Sequence, residues 1–169
     1  MAQSSVRLGR PANLPKRKLQ KADFDLTDIQ GNILRGYTFP CAAYLFLRID
    51  DPAKARALMG RMLPQISTAE EWTDGPPSTA LHVALTYAGL QAVGVPQEIL
   101  DTFPEEFREG MAARAHLLGD RGPAAPERWE AGLGTGEAHV LVSVWAVVTS
   151  AIWLPAVIAW SPVVTTGVV

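Results

Sequence analysis

Alternating apolar and polar side chains predict three β-strands in this chain. The stretch CAAYLFLRI, residues 41–49, is apolar on both alternating faces, which is typical of a central strand covered on both sides. In LHVALTY, residues 81–87, Leu81, Val83, Leu85 and Tyr87 share one face, whereas His82, Ala84 and Thr86 share the other. A last strand is predicted in HVLVSVWA, residues 139–146.

Apolar residues at helical spacing follow the first two strands. In DDPAKARALMGRMLP, Asp51 is placed to cap a helix that begins at Pro52. The stretch TFPEEFREGMAARAHLLG predicts a longer helix, in which Thr102 and Glu105 have the spacing of a capping box and Gly119 marks the end. A short helix is predicted between these two, in AGLQAVGVP.

This order of elements predicts an α+β fold with a ferredoxin-like antiparallel sheet and helices on one sheet face. The face of Leu81, Val83 and Leu85 is expected to meet the helices. The face of His82 and Ala84 is expected to be left for solvent or for another domain. The predicted domain organisation is a basic flexible leader at 1–25, a half-domain at 26–146 and an uncharged hydrophobic tail at 147–169.

Composition limits the classes of function. The chain of 169 residues is long enough for one ordinary core, and its net charge of -2 gives no electrostatic reason to expect nucleic acid as a partner. Its single cysteine, Cys41, excludes a disulfide within the chain, which fits a reducing compartment. The leader is basic and has no apolar stretch typical of a secretion signal, so a cytoplasmic location is predicted.

No arrangement of residues in the sequence predicts an active site from its own chemistry. His82, His116 and His139 fall on three separate elements, without a second ligand at metal spacing. The glycines of GLGTGEA precede a strand and lack the Lys-Ser/Thr of a phosphate loop, and Glu105 and Glu106 fit the first turn of a helix. We therefore predict no catalytic, cofactor-binding or metal-binding residue.

Several strings in the chain nevertheless resemble a known family when they are taken together. DIQGNILRGY, LTYAGLQAVGVP, FPEEFREGMAARAHLLGDRG and PERWEAGLG followed by AHVLVSVWA occur in this order. They resemble the N-terminal half of dye-decolourising (Dyp-type) haem peroxidases, over about residues 26–146.

The resemblance implies a two-half fold, of which this chain would be the first half. It implies b-type haem as the cofactor, hydrogen peroxide as the oxidant and dyes or other bulky molecules as reductants. The family's haem pocket is made mainly by the second half, with a distal aspartate in a Gly-x-x-Asp-Gly motif and a proximal histidine further on. That motif does not occur here, so no family residue is carried over and the isolated chain is expected to be inactive.

The uncharged stretch from residue 140 to residue 169 leaves alternatives open. It is long enough to cross a bilayer and carries three tryptophans, yet Pro155 interrupts it and its first residues coincide with the last predicted strand. The favoured interpretation is that native sequence ends near Ala146 and that the tail is out of frame or otherwise non-native. The alternative function is a non-catalytic association domain, which self-associates through the open sheet face and is attached to a membrane by the tail.

Overall fold

A computed structural model describes residues 24–130, 132–147 and 167–168. Its strands are β1 (Cys41–Leu47), β2 (Thr79–Leu85), β3 (Val140–Ala146) and β4 (Gly167–Val168). They form one sheet in the order β2-β3-β1-β4, and all neighbouring strands are antiparallel. This is the strand order of a ferredoxin-like sheet, so the predicted fold class is confirmed.

The described residues form helices of very different lengths. They are α1 (Gly31–Leu34), α2 (Pro52–Met62), α3 (Tyr87–Ala92), α4 (Gln97–Leu100), α5 (Glu105–Ala113) and α6 (Ala115–Leu118). Short 3-10 turns occur at Leu63–Gln65, Gly122–Ala124 and Pro126–Arg128. Helix α2 begins as predicted, because Asp51 Oδ1 accepts hydrogen bonds from the backbone N–H groups of Ala53 (2.9 Å) and Lys54 (3.1 Å).

The long helix predicted from Thr102 to Gly119 is wrong in its start and its continuity. The Thr102 hydroxyl donates to the carbonyl of Ile99 at 2.7 Å, so it does not form the predicted capping box, and α5 begins only at Glu105. Gly110 has φ 75° and ψ 174°, which interrupts the helical path because no right-handed helix contains that conformation. The predicted end is confirmed, since Gly119 adopts the left-handed conformation with φ 80° after α6.

One side of the sheet, here called the core face, packs against helix α2. Met62 of α2 and Leu47, Val140, Val142 and Val144 of the strands form the buried centre. Around it pack half-buried side chains of both layers, namely Leu45, Ile49, Leu58, Met59, Leu81, Val83 and Leu85. The prediction that the Leu81, Val83 and Leu85 face meets the helices is therefore confirmed.

Tyr87 does not continue that strand face as predicted. Strand β2 ends at Leu85, and Tyr87 is the first residue of α3. Thr86 causes the change, because its hydroxyl caps α3 by accepting from the Gly89 N–H at 3.0 Å. Its own N–H donates to the carbonyl of His139 at 3.0 Å, which holds the start of α3 beside the start of β3.

The segment DIQGNILRGY covers the free edge of β2. The side-chain amide of Gln30 donates to the carbonyl of Val83 at 2.7 Å and accepts from the Val83 N–H at 2.8 Å, so it takes the place of a neighbouring strand. Ser67 does the same at Leu81, through its backbone N–H (2.9 Å) and its hydroxyl oxygen (3.1 Å). An edge whose backbone groups are paired in this way cannot recruit another strand there.

Most of the predicted tail, residues 148–166 and 169, lies outside the described residues. Its last two described residues form β4, where Gly167 pairs with Phe46 and Val168 pairs with Leu45 of β1. Across the described parts of the chain, none of the helices has the length and apolar character needed to cross a membrane.

Candidate functional site: an aromatic cluster around His82

The side of the sheet opposite the core face, here called the second face, is built from three rows of paired residues. Tyr44, Ser143 and His82 form the middle row, across strands β1, β3 and β2. The row of Ala42, Trp145 and Ala80 lies beside it on one side, and the row of Phe46, Leu141 and Ala84 on the other. The two alanines flanking Trp145 leave room for aromatic rings above the sheet.

Rings from outside the sheet fill that room and form the aromatic cluster. It consists of Tyr37, Phe39, Trp72, His82 and Trp145, with Tyr44 at its edge. The ring of Tyr37 is central, since its centroid lies 5.2 Å from that of His82 and 5.8 Å from those of Trp72 and Trp145. Tyr44 contacts Trp145 edge-on at 5.8 Å and is 44% exposed, so the cluster extends from the interior to the surface.

Tyr37 and His82 share a hydrogen bond at the centre of the cluster. The Tyr37 hydroxyl lies 3.0 Å from His82 Nε2, and the two rings are stacked at 29°. His82 is only 1% exposed, which corrects the prediction that it lies on an open face. The sequence pattern missed this because the covering ring comes from a segment 45 residues away along the chain. Elsewhere on the second face, Ala84 is exposed as predicted, whereas Ala80 and Ser143 are buried. Ala42 and Tyr44 of β1 are exposed, which corrects the prediction that this strand is covered on both sides.

Burial shifts the titration of both groups. Desolvation lowers the pKa of His82 below its ordinary value of 6.5, because the charged imidazolium loses water. Desolvation also raises the pKa of Tyr37, although the nearby positive charge of Arg35 opposes the shift. His82 is therefore neutral at neutral pH. A phenol donates more readily than it accepts, so we assign His82 Nε2 as the acceptor and Nδ1 as the protonated nitrogen.

Two buried polar atoms of the cluster lack partners among the described residues. They are His82 Nδ1 and Trp145 Nε1. A buried N–H without a partner is costly, so such groups are uncommon in folded proteins and call for an explanation. The cluster is thus polar at its centre, although its walls are aromatic.

The segment DIQGNILRGY positions Tyr37 over the sheet. The Arg35 guanidinium donates to the carbonyls of Ala69 and Glu70 and lies 5.4 Å from the ring centroid of Trp72. Gly31 must be a glycine here, because a Cβ at that position would overlap the Tyr37 hydroxyl and would lie 2.8 Å from the carbonyl oxygen of Thr68. The GN step of the motif thus allows the close approach of Tyr37 and begins α1.

The other residues whose chemistry was assessed from the sequence lie apart from one another in the structure. His116 is exposed on α6, while His139 precedes β3 and accepts the Ile49 N–H at 2.9 Å through Nδ1. The remaining candidates are the half-buried Cys41 at the start of β1, the exposed Glu105 and Glu106 in the first turn of α5, and Gly132, Gly134 and Gly136 with positive φ. Among the described residues, no three His, Cys, Asp or Glu side chains are grouped to hold a metal ion.

The described residues do not fit a haem group. Tyr37 covers the ring of His82, the backbone of Ile49 occupies Nδ1 of His139, and His116 projects from the surface, so none of the three is placed as an axial ligand in a cavity. A cavity of about 350 Å³ beside α1 is lined by other residue types, namely Leu26, Leu34, Arg35, Ala69 and Glu71.

Comparison with known proteins finds one family model and several relatives that match this chain. Residues 28–153 match the model of the DyP dimeric alpha+beta barrel domain. A dye-decolorizing peroxidase of Mycena epipterygia is 32% identical over 118 residues, which are 68% of this chain and 21% of that protein. Peroxidase 2 of Mycetinis scorodonius is 30% identical over 122 residues, which are 70% of this chain and 24% of that protein.

Solved structures agree at the level of the fold. A fungal DyP-type peroxidase from Auricularia auricula-judae superposes with a TM-score of 0.70 at 21% identity, over 84% of this chain and 32% of that chain. A crystal structure of DyP superposes with a TM-score of 0.72 at 18% identity, over 85% and 32% of the two chains. The chain spans about a fifth to a quarter of the length of the curated relatives it matches.

Proposed function

Because the chain belongs to the family of the DyP dimeric alpha+beta barrel domain, we propose that it is the N-terminal part of a dye-decolourising haem peroxidase. In that role hydrogen peroxide is the oxidant, haem is the cofactor, and dyes or other bulky organic molecules are the reductants. The observation that carries the proposal is the match over residues 28–153, which covers most of the chain. The antiparallel strand order and the likeness to solved peroxidases support it.

We further infer that the 169-residue chain has no peroxidase activity alone. Peroxide cleavage at haem needs a placed axial ligand and a distal acid or base. Neither is formed by the described residues, and the Gly-x-x-Asp-Gly motif that the family resemblance implies does not occur in the sequence. In this proposal, the residues that hold haem correspond to the part of the relative from Mycena epipterygia that this chain does not match, which is about four fifths of that protein.

Haem titration of the purified chain tests the predicted inactivity. We expect the absorbance of free haem without a saturable Soret band, and no peroxide-dependent bleaching of an anthraquinone dye. Haem in buffer serves as the blank, and a complete dye-decolorizing peroxidase serves as the positive control. A saturable Soret band together with dye bleaching would contradict the inference.

A chimera tests the proposed role as an N-terminal domain. Residues 28–147 replace the corresponding segment of the peroxidase from Mycena epipterygia, and we expect a soluble protein that incorporates haem and bleaches dye. The same chimera with Gly89→Ala, a change that disturbs the packing of α3 on the start of β3, should lose both properties in proportion to its loss of fold. A soluble, folded chimera that takes up no haem would oppose the proposal.

Self-association through the second face is the second candidate function. The exposed side chains of Ala42, Tyr44 and Ala84 favour it, because an exposed and partly apolar surface is a common contact surface. Sedimentation equilibrium of the full chain should show dimers that Tyr44→Lys weakens and that Leu117→Lys, on exposed α6, leaves unchanged. A wild-type chain that is monomeric at all concentrations would exclude this function.

The cytoplasmic location stays a prediction from the sequence. It is supported by the single cysteine, which fits a reducing compartment. Cell fractionation followed by immunoblotting of the chain tests it, and recovery in a secreted or membrane fraction would contradict it.

A further inference from the structure

The hydrogen-bonded pair of Tyr37 and His82 has no part in the proposed peroxidase chemistry. All three tyrosines of the chain lie in the described residues, and Tyr37 has a base at hydrogen-bond distance. The hydroxyls of Tyr44 and Tyr87 have no hydrogen-bond partner among the described residues; the ring of Tyr44 contacts Trp145, and that of Tyr87 contacts Phe107. Tyr37 thus differs from both in having a proton acceptor.

We propose that Tyr37 and His82 form a proton-coupled one-electron redox site. Tyr37 gives one electron to a small diffusible radical, which is reduced to the corresponding anion, and the O–H bond of Tyr37 breaks as the proton moves to His82 Nε2. The products are a neutral tyrosyl radical and an imidazolium, while the oxidant is reduced by one electron. An electron from a reductant reverses the step, and the proton returns from Nε2 to the phenolate oxygen.

The geometry suits both transfers. The O···N distance of 3.0 Å is a hydrogen bond, so the proton moves along an existing contact without reorganisation of the rings. The electron has neighbouring aromatic rings to pass through, since Tyr37 lies 5.8 Å from Trp145 and Trp145 lies 5.8 Å from the exposed Tyr44. Electron exchange with a partner in solution therefore does not require Tyr37 and His82 to separate.

Burial makes His82 a suitable temporary acceptor. Desolvation lowers its pKa, so Nε2 stays unprotonated in mildly acidic solution, where an exposed imidazole would already carry the proton. The same burial disfavours the imidazolium, whose Nδ1–H has no partner among the described residues. The proton is therefore held only while the radical persists, which makes the step reversible.

This inference goes beyond the proposed peroxidase function and does not need it. Any one-electron oxidant of sufficient potential can drive the step, so the site can be tested in the chain without haem. The loss of peroxidase activity in a chimera and the loss of the tyrosyl radical in the chain are separate observations, and either proposal can fail alone.

Pulse radiolysis of the full chain with azide radicals as oxidant is the experiment. The transient absorption of tryptophanyl radicals should decay as that of a tyrosyl radical appears. We expect Tyr37→Phe to remove most of the rapidly formed tyrosyl signal. Tyr44→Phe and Tyr87→Phe should leave that rapidly formed signal in place. His82→Gln, which can still form a hydrogen bond but is not a base, should slow tyrosyl formation at least about tenfold.

Two further readouts keep the test decisive if the His82 variant folds poorly. In the unmodified chain, tyrosyl formation should slow in D₂O and should not depend on the concentration of buffer base, because the proton acceptor is internal. A radical that persists in Tyr37→Phe and disappears in Tyr44→Phe would overturn the proposal. A rate that rises with buffer base, or that does not change in D₂O, would overturn the role of His82.

Discussion

Replacing Gly89 with alanine is expected to destabilise the fold through a single backbone contact. A Cβ at position 89 would overlap the carbonyl oxygen of His139, which lies directly before β3. That oxygen accepts the N–H of Thr86 at 3.0 Å, so moving it away also weakens the hydrogen bond that joins the start of α3 to the start of β3. Because the obstacle is backbone, no side-chain rotation can relieve the overlap.

The expected magnitude follows from three contributions. Overpacking costs about 1–3 kcal/mol, and the weakened hydrogen bond about 1 kcal/mol. Alanine in a helix gains about 0.5–1 kcal/mol over glycine, which offsets part of this. The net loss in the free energy of unfolding is thus about 2 kcal/mol, or about 4–8 °C in Tm for a chain of this size.

Gly60 supplies the matched control. It lies in α2, and a Cβ there would meet no other atom within 4 Å, so Gly60→Ala gains only the helix preference of about 0.5–1 kcal/mol. Urea unfolding followed by circular dichroism and tryptophan fluorescence measures both variants. We expect the midpoint to fall by about 1 M for Gly89→Ala and to rise for Gly60→Ala. A Gly89→Ala midpoint equal to or above that of the wild type would refute the reasoning.

Two further predictions concern the edge strand and the buried histidine. Gln30→Ala should lower the free energy of unfolding by about 2 kcal/mol, because both backbone groups of Val83 lose partners. The control Gln97→Ala removes one exposed hydrogen bond and should change the free energy of unfolding little. Equal effects of the two variants in urea unfolding would contradict the proposed pairing of Gln30 with the edge of β2. The pKa of His82 is lowered in the folded state, so the unfolded state binds a proton at this histidine first as the pH falls. The free energy of unfolding should therefore decrease as the pH drops below about 6.5, and this decrease should level off below the pKa that His82 has in the folded state. His82→Gln should remove this loss and His116→Gln should keep it; an unchanged pH profile in His82→Gln would contradict the assignment.

Local patterns in the sequence predicted the features that depend on neighbouring residues. Asp51 caps α2 because a cap needs only the next three residues, and Leu81, Val83 and Leu85 face the core because alternation fixes which side a strand residue lies on. The predicted single helix failed at Gly110, where a glycine allowed a positive φ that periodicity of apolar residues does not reveal.

The sequence by itself determined the places of β1, β2 and β3, the core face of the sheet and, through its combined motifs, the family, but it did not predict β4. It did not determine the use of the second face, because alternation says which residues share a side and not what covers them. Only the tertiary structure brought Tyr37 onto His82 across 45 residues, and only there did DIQGNILRGY become the segment that pairs the edge of β2 and positions that ring. Long-range contacts of this kind arise from chain topology, which leaves no periodic signal in the sequence.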